Sequence, residues 1–221
     1  MNQDKHNHED KSCPVVGTIA RWTRRKDARP GEILDAALDQ FVARGFAATK
    51  MEHIARAAGV TPGTLYRYYP GKEEILKALI HDSFQRVFAE AEPIMAQFQG
   101  TASEMLGLVL RTWWDMVGAT KISGLAKLMM AEASNFPELA RFHEAEVIKP
   151  GEAFIERAVQ LGIANGEFRP INVKAAVKMA VAPILMAMLW KHSESCNLEG
   201  LDLELYLDEA IQTLQRGLAA R

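Results

Sequence analysis

Between Ala58 and Ile75 the chain reads AGVTPGTLYRYYPGKEEI, a window crowded with hydroxyls, phenols, a guanidinium and an ammonium. Tyr66, Arg67, Tyr68 and Tyr69 follow one another directly and cannot all point into one core. Tyrosine joins a hydroxyl that reaches phosphate to a ring that packs on sugar or on a thymine methyl. Arginine carries the fork that reads a guanine edge. Thr61 followed by Pro62 is a helix start, because a proline N–H is not missed at the first helical position. The free N–H groups of that start suit phosphate, and Gly63 lets a backbone come close. Gly59 permits a tight turn through a positive φ. Val60 and Leu65 are expected inward against Ile54, leaving Thr61, Thr64, Arg67 and Tyr68 on or near an outer face. The chemistry is that of nucleic-acid binding; the plainer alternative is an αα-corner whose aromatics only pack.

The elements that must position these residues are helical. Leu34, Ala37, Leu38, Phe41 and Val42 recur at i, i+3, i+4, i+7 and i+8, one buried face of a helix that opens at Pro30 and stops at Gly45. Thr49 is the expected N-cap of KMEHIARAAG, with Ile54, Ala55 and Ala58 inward. A short helix follows over 62–68, broken by Pro70 and Gly71, and KEEILKALIHDSFQRVFAEAE starts a long one. Two short helices around a Gly-Val turn, with the first helix before them, make a three-helix helix-turn-helix unit.

Thr101 with Glu104 is a capping box for a helix to about Val117. ISGLAKLMMAEAS is another helix. Pro137 opens a longer helical region with an expected break at Pro150-Gly151, ending at NGEFRP. Asn172 caps a very apolar helix to about His192, kinked at Pro183, and Asp202 caps a last one to about Leu218. No window shows sustained strand alternation. The expected class is all-α with about nine helices, divided into a basic tail (1–29), a helix-turn-helix domain (30–76) and a helical remainder (77–221).

Composition agrees with a globular chain: 48% of the 221 residues are hydrophobic and 24% charged. The net charge of −2 hides an asymmetry. Residues 1–80 carry 13 Lys and Arg against 10 Asp and Glu, and 81–221 carry 13 against 18. A basic first part points to a polyanion partner there. Cys13 and Cys196 are far apart and in no metal-like cluster, and His6 and His8 read as tail residues, so no metal or cofactor is expected. The first twenty residues lack an apolar leader core, and the longest apolar stretch, Met179 to Trp190, is short for a bilayer. A soluble cytoplasmic protein is the expectation. Catalysis has little support: no glycine loop, nucleophile elbow or metal motif is present, and Glu132 and Glu144 stand without evident partners.

Residues 46–76 resemble the DNA-binding signature of the TetR family of bacterial transcriptional regulators. The matching parts are T..KMEHIARAAGV, GTLYRYY and KEEIL, in the right order and spacing. Tyr69 stands where phenylalanine is commoner, and Gly71 where serine or asparagine is frequent. Beyond this stretch the likeness is of architecture, with faint phrases in AEASNFPELARF and GEFRP. Carried over by position, the resemblance implies phosphate contacts at Thr49, Thr61, Gly63, Tyr66 and Lys72. It implies base-edge contacts at Thr64, Arg67, Pro62 and Tyr68. Apart from the resemblance, the tail from Arg21 to Arg29, with five basic residues and one acid, either enters a minor groove or lies along phosphates, as arms do in other DNA-binding proteins, or is a solvated tail.

The resemblance further implies a C-terminal part that binds a small molecule and forms a homodimer. Val177, Ala180, Val181, Ile184, Leu185, Met188 and Leu189 make the penultimate helix apolar nearly all round, and Leu203, Leu207, Ile211, Leu214 and Leu218 stripe the last one. Paired across a two-fold axis they would form a four-helix interface; the alternative is one interior helix within a monomer. Trp113, Trp114, Met129, Met130, Phe136, Phe142 and His143 are the candidate lining of an apolar effector pocket. The expectation is a repressor released from a palindromic operator by a small lipophilic or aromatic effector, with the fourth helix as lever. The alternative is a ligand-independent dimeric DNA-binding protein whose C-terminal part is only a scaffold.

Overall fold

Local capping chemistry sets most of the helix starts. Thr61 Oγ1 accepts from the Thr64 N–H, Thr101 and Glu104 form the reciprocal capping box, Asn172 Oδ1 accepts from Ala175 N, and Asp202 Oδ1 from Glu204 N. The computed structural model describes residues 30–193 and 200–220, and these residues form nine continuous helices with no strand among them. The basic arm, Cys13, Cys196, His6 and His8 lie outside the described residues.

The first four helices are α1 (Pro30–Arg44), α2 (Met51–Ala57), α3 (Pro62–Tyr68) and α4 (Lys72–Ala96). Helix α5 (Ala102–Trp113) continues into a π-helical turn, Trp114–Gly118. Helix α6 enters through a 3-10 turn, Lys121–Ser123, and runs over Gly124–Glu132. Helix α7 spans 137–164 in three pieces: Pro137–His143, a π-helical turn Glu144–Ile148, and Lys149–Ala164. Helices α8 (Val173–Lys191) and α9 (Leu203–Leu218) complete the chain.

Several expectations shift. The irregularity in α7 is the π turn ahead of Pro150, not a break at Pro150-Gly151; proline sits early in the next segment, where its missing N–H is tolerated. Pro183 stands inside α8, which continues on both sides of it as expected. The N-cap of α2 is Lys50, one residue after Thr49, and Lys50 N donates to His53 Nδ1 at 3.3 Å. Val42 is 37% exposed rather than buried, although its methyls rest on Gly124. Helix α8 is nineteen residues long, beyond the twelve-residue run visible in sequence, and it meets the length and composition, though nothing more, of a membrane-crossing helix. In this fold its Ala176, Val177, Ala180, Ile184, Ala187 and Met188 are buried, and it packs on α6, α7 and α9.

One hydrophobic core runs from the helix-turn-helix unit into the rest of the chain. Phe41, Phe46 and Ile54 of the first part and Leu106, Trp114 and Val159 of the second belong to it. Phe46 stacks at 5.3 Å from Phe41 and edge-on at 4.8 Å from Phe136, so an aromatic ladder crosses between the parts.

Gly162 shows how the far end is closed. The buried Phe168 ring lies directly over it, and a Cβ at Gly162 would sit 2.2 Å from Phe168 Cδ2. That ring cannot easily yield. Phe168 N donates to Gly162 O at 2.9 Å, Arg169 N to Leu218 O at 2.9 Å, and Ala220 N to Glu167 O at 2.8 Å. Gly162→Ala gains about 1 kcal/mol of helix propensity and loses about 1–3 kcal/mol to overpacking. With so short an approach we expect a net loss, read as a lower urea midpoint at unchanged slope. A variant as stable as the wild type would mean that the Phe168 turn is free to move.

A candidate nucleic-acid interface and an apolar cavity

Helix α3 is seven residues long and buries one side chain, Leu65. The turn before it follows from Gly59, whose φ is +69°, and from Val60 N donating to Ala55 O at 2.9 Å. Val60 packs against the core as expected. What remains of α3 faces outward. Thr61, Pro62, Gly63 and Arg67 are exposed, Thr64 is half-buried, and Tyr66 and Tyr68 are 49% and 41% exposed. The Arg67 guanidinium lies 5.3 Å from the centre of the Tyr68 ring, a cation–π contact. The hydroxyls of Thr61 and Thr64 are 2.9 Å apart. Tyr69 turns inward, and its phenol pKa is raised by burial and then by Asp82. The four-residue run therefore divides: Tyr66, Arg67 and Tyr68 face solvent, and Tyr69 packs.

Two residues of the expected interface stand differently. Thr49 is 1% exposed, and its hydroxyl donates to Gly45 O at 2.7 Å, with Gln40 O at 3.2 Å. A hydroxyl so placed holds the turn between α1 and α2 and has no surface for phosphate. Lys72 reaches back from the start of α4, donating from Nζ to Phe46 O at 2.7 Å and to Ala47 O and Thr49 O at 3.0 Å each. The ammonium also lies 4.6 Å from the Phe46 ring centre.

The larger part holds a cavity of about 320 Å³ between α4, α5, α6, α7 and α8. Trp113, Met129, Met130 and His143 line it, as the sequence suggested. Trp114, Phe136 and Phe142 do not. Trp114 turns toward α9, where its indole N–H donates to Glu204 Oε1 at 2.6 Å. Phe136 serves the aromatic ladder, and Phe142 packs against the core. Sequence reasoning missed Phe84, Val109 and Ile155, whose helical spacing matches any core residue. Trp113 stacks at 5.8 Å from Phe84 and lies against Gly151, where a Cβ would stand 3.3 Å from its ring. Burial lowers the His143 imidazole pKa to about 4.

The residues expected at a dimer face are already covered by the chain itself. Val177, Ile184, Met188, Leu207, Ile211 and Leu218 are at most 8% exposed, and Val181, Ile184, Leu185 and Met188 line the cavity. Leu214 packs partly buried against the core. Within the single chain α8 packs on α6, α7 and α9, and α9 packs on α5 and α8. The apolar side chains that α8 and α9 leave outward are Met179 at 49%, Met186 at 42% and Leu205 at 59% exposure.

Helix α6 touches both regions. Its Met129 and Met130 line the cavity, while Glu132 Oε1 at its end accepts from Ala47 N at 3.1 Å in the turn that Lys72 holds. Lys121, at the other end of α6, pairs with Asp35 at 3.1 Å and Asp39 at 3.5 Å on α1. Glu132 and Glu144 thus have partners that the sequence did not reveal; Glu144 pairs with Lys149 at 3.5 Å. Among the described residues no cluster of His, Cys, Asp or Glu is arranged to hold a metal.

A family model described as "Bacterial regulatory proteins, tetR family" matches residues 33–79, and one described as "Tetracyclin repressor-like, C-terminal domain" matches residues 99–195. The fatty acid metabolism regulator protein of Bacillus subtilis (strain 168) is 25% identical over 162 residues, 72% of this chain and 82% of that protein. The HTH-type transcriptional repressor KstR2 of Mycolicibacterium smegmatis is 25% identical over 144 residues, 65% of this chain and 69% of that protein. The crystal structure of the transcriptional regulator FadR from Bacillus subtilis in complex with stearoyl-CoA aligns with a TM-score of 0.68 at 23% identity, covering 86% of this chain and 100% of that one. That structural likeness bears on the fold. The two family models match consecutive stretches that contain the α3 surface and most of the cavity wall, and the chain belongs to the tetR family of bacterial regulatory proteins.

Proposed function

We propose that this chain is a homodimeric, sequence-specific DNA-binding repressor released from a palindromic operator by a small lipophilic effector. The observation that carries the reading is the double duty of α6. An occupant of the cavity presses on Met129 and Met130, and the same helix holds the Ala47 turn through Glu132. A ligand that favours one position of α6 therefore biases the placement of the reading helix. It weakens DNA binding by its differential affinity for the two arrangements, typically about 1–3 kcal/mol. A relative named for fatty acid metabolism, and a structural neighbour crystallised with stearoyl-CoA, suit an apolar occupant. The reading head comprises residues 30–76 and the effector body 77–221, with α4 crossing between them. On α3, Arg67 and Thr64 read base edges with Pro62 and Tyr68 beside them, while Thr61, Gly63 and Tyr66 meet phosphate. The dimer forms through the outward faces of α8 and α9 around Met179, Met186 and Leu205. The site is non-catalytic, and the protein acts in the cytoplasm beside the DNA.

A scaffold without an effector is the second reading. A cavity of about 320 Å³ within the body disfavours it, because well-packed interiors leave few voids larger than a water molecule. Selection of bound sequences from a random duplex library, at two salt concentrations, tests the proposal. The expected product is a palindrome with half-sites about one helical turn, or a multiple of it, apart. Motif-free binding that disappears at the higher salt would remove sequence-specific regulation from the account.

A further inference from the structure

The cavity wall carries a specific charge pattern. Apart from the indole of Trp113, its polar side chains are His143, Glu144 and Glu152. No lysine or arginine lines it. The nearest cations stand outside and are already engaged, Lys178 with Glu152 and Lys149 with Glu144 at 3.5 Å. Their side chains are 65% and 70% exposed. A carboxylate entering this space would leave water for an apolar wall whose only two charged side chains are paired carboxylates and which offers it no free counter-ion. That is the unfavourable case for burying a charge. An ammonium would find both glutamates in use and the rest of the wall apolar.

His143 is the exception in the apolar lining. The half-buried ring makes no hydrogen bond within the described residues, and its nitrogens stay open to whatever fills the cavity. Burial holds the ring in its neutral form at ordinary pH. A neutral imidazole offers one N–H donor and one acceptor nitrogen. A hydroxyl can answer either, and a carbonyl or ester oxygen can answer the donor.

We infer that the cavity takes an uncharged apolar molecule whose single hydrogen-bonding group meets His143, and that it excludes the carboxylate of the same skeleton. The inference rests on the effector reading above and narrows it to a class of ligand. His143 is the specificity-determining residue of the cavity, and the apolar wall, whose two carboxylates already hold their lysines, turns acids away by offering no free counter-ion.

The test uses the full chain and four probes of one chain length: dodecan-1-ol, methyl dodecanoate, sodium dodecanoate and dodecylammonium chloride, each below its micelle concentration. Binding is followed by the fluorescence of the tryptophans, one of which lines the cavity. Release of the selected duplex is measured in parallel. The expected result is that the alcohol and the ester bind at least tenfold more tightly than either ion. His143→Phe should weaken the alcohol about five- to tenfold with little effect on dodecanoate, and His143→Asn should recover part of the loss. Dodecanoate within twofold of the alcohol, dodecylammonium binding tightest, or no probe binding at all would each overturn the inference. An unchanged alcohol affinity in His143→Phe would overturn the assignment of the anchor. The two layers separate cleanly. If the alcohol binds with the stated preference and leaves the DNA complex intact, the ligand class stands and the effector reading falls. If dodecanoate binds equally well and releases DNA, the reverse holds.

Discussion

Arg67→Ala should cost the protein about 5- to 150-fold in affinity for its selected operator, a loss of about 1–3 kcal/mol, while binding to random duplex falls much less. Arg67 is exposed on α3 and pairs with no carboxylate among the described residues; its guanidinium rests beside the Tyr68 ring at 5.3 Å. That contact holds the planar fork in place without using its donors, so little conformational freedom is lost when the fork meets a base. Leu65, fully buried, fixes the rotation of the short helix that presents it. A fork on an arginine that reads guanine O6 and N7 is worth discrimination, whereas one on a phosphate is worth only salt-dependent affinity. Fluorescence anisotropy on the selected and scrambled duplexes separates the two. Equal losses on both sequences would assign Arg67 to the backbone and leave base reading to Thr64 and Tyr68.

The parts of this protein that were legible in its sequence are those written in local chemistry. Caps at Thr61, Thr101, Asn172 and Asp202 each need only a side chain and a backbone N–H two or three residues on, so they can be read from adjacent letters. The outward face of α3 was legible for a similar reason: a seven-residue helix can bury little, and polar or aromatic surplus must go to the surface. Thr49 is the cap its residue type predicts before α2, but its hydroxyl closes the turn onto Gly45 O, and the helix begins one residue later, behind Lys50. The neighbours of α8 were not legible. A helix apolar nearly all round satisfies a dimer interface and an interior position equally well, and its neighbours within the chain, α6, α7 and α9, are not written in its own pattern. The cavity was half legible: Met129, Met130, Trp113 and His143 stood out by type, but nothing local distinguishes them from Trp114, which faces Glu204 instead. The link between Glu132 and Ala47 joins residues 85 apart and leaves no trace in either local pattern.

Lys72→Met should lower the thermal stability of the protein by about 5–15 °C and weaken DNA binding without changing its salt dependence. The first residue of α4 could serve either of two masters. As a phosphate contact it would be one more cation released to the duplex, and its removal would reduce the slope of log affinity against log salt by about 0.9 per contact. The geometry favours the other role. The three donors of an ammonium meet three carbonyls, Phe46 O, Ala47 O and Thr49 O, at 2.7–3.0 Å. Those carbonyls belong to the turn that joins α1 to α2, is tied to α6 by Ala47 N and Glu132, and sets where α2 begins. Methionine keeps an apolar stem of similar length but removes every donor and the ammonium's contact with the Phe46 ring. Hydrogen bonds to charged groups contribute about 1.5–3 kcal/mol each, but Ala47 lies at the surface, where water replaces part of the loss. A total of about 2–4 kcal/mol follows, which for a chain of this length corresponds to the stated fall in melting temperature. The DNA affinity then drops because the head is less often assembled, and the salt slope stays as it was. Unchanged stability with a shallower slope would mean that the lysine leaves its carbonyls when DNA arrives. The turn would then have to be held by Thr49 and Glu132 alone, and α4 would be a direct reader of the phosphate backbone rather than a clasp for the head.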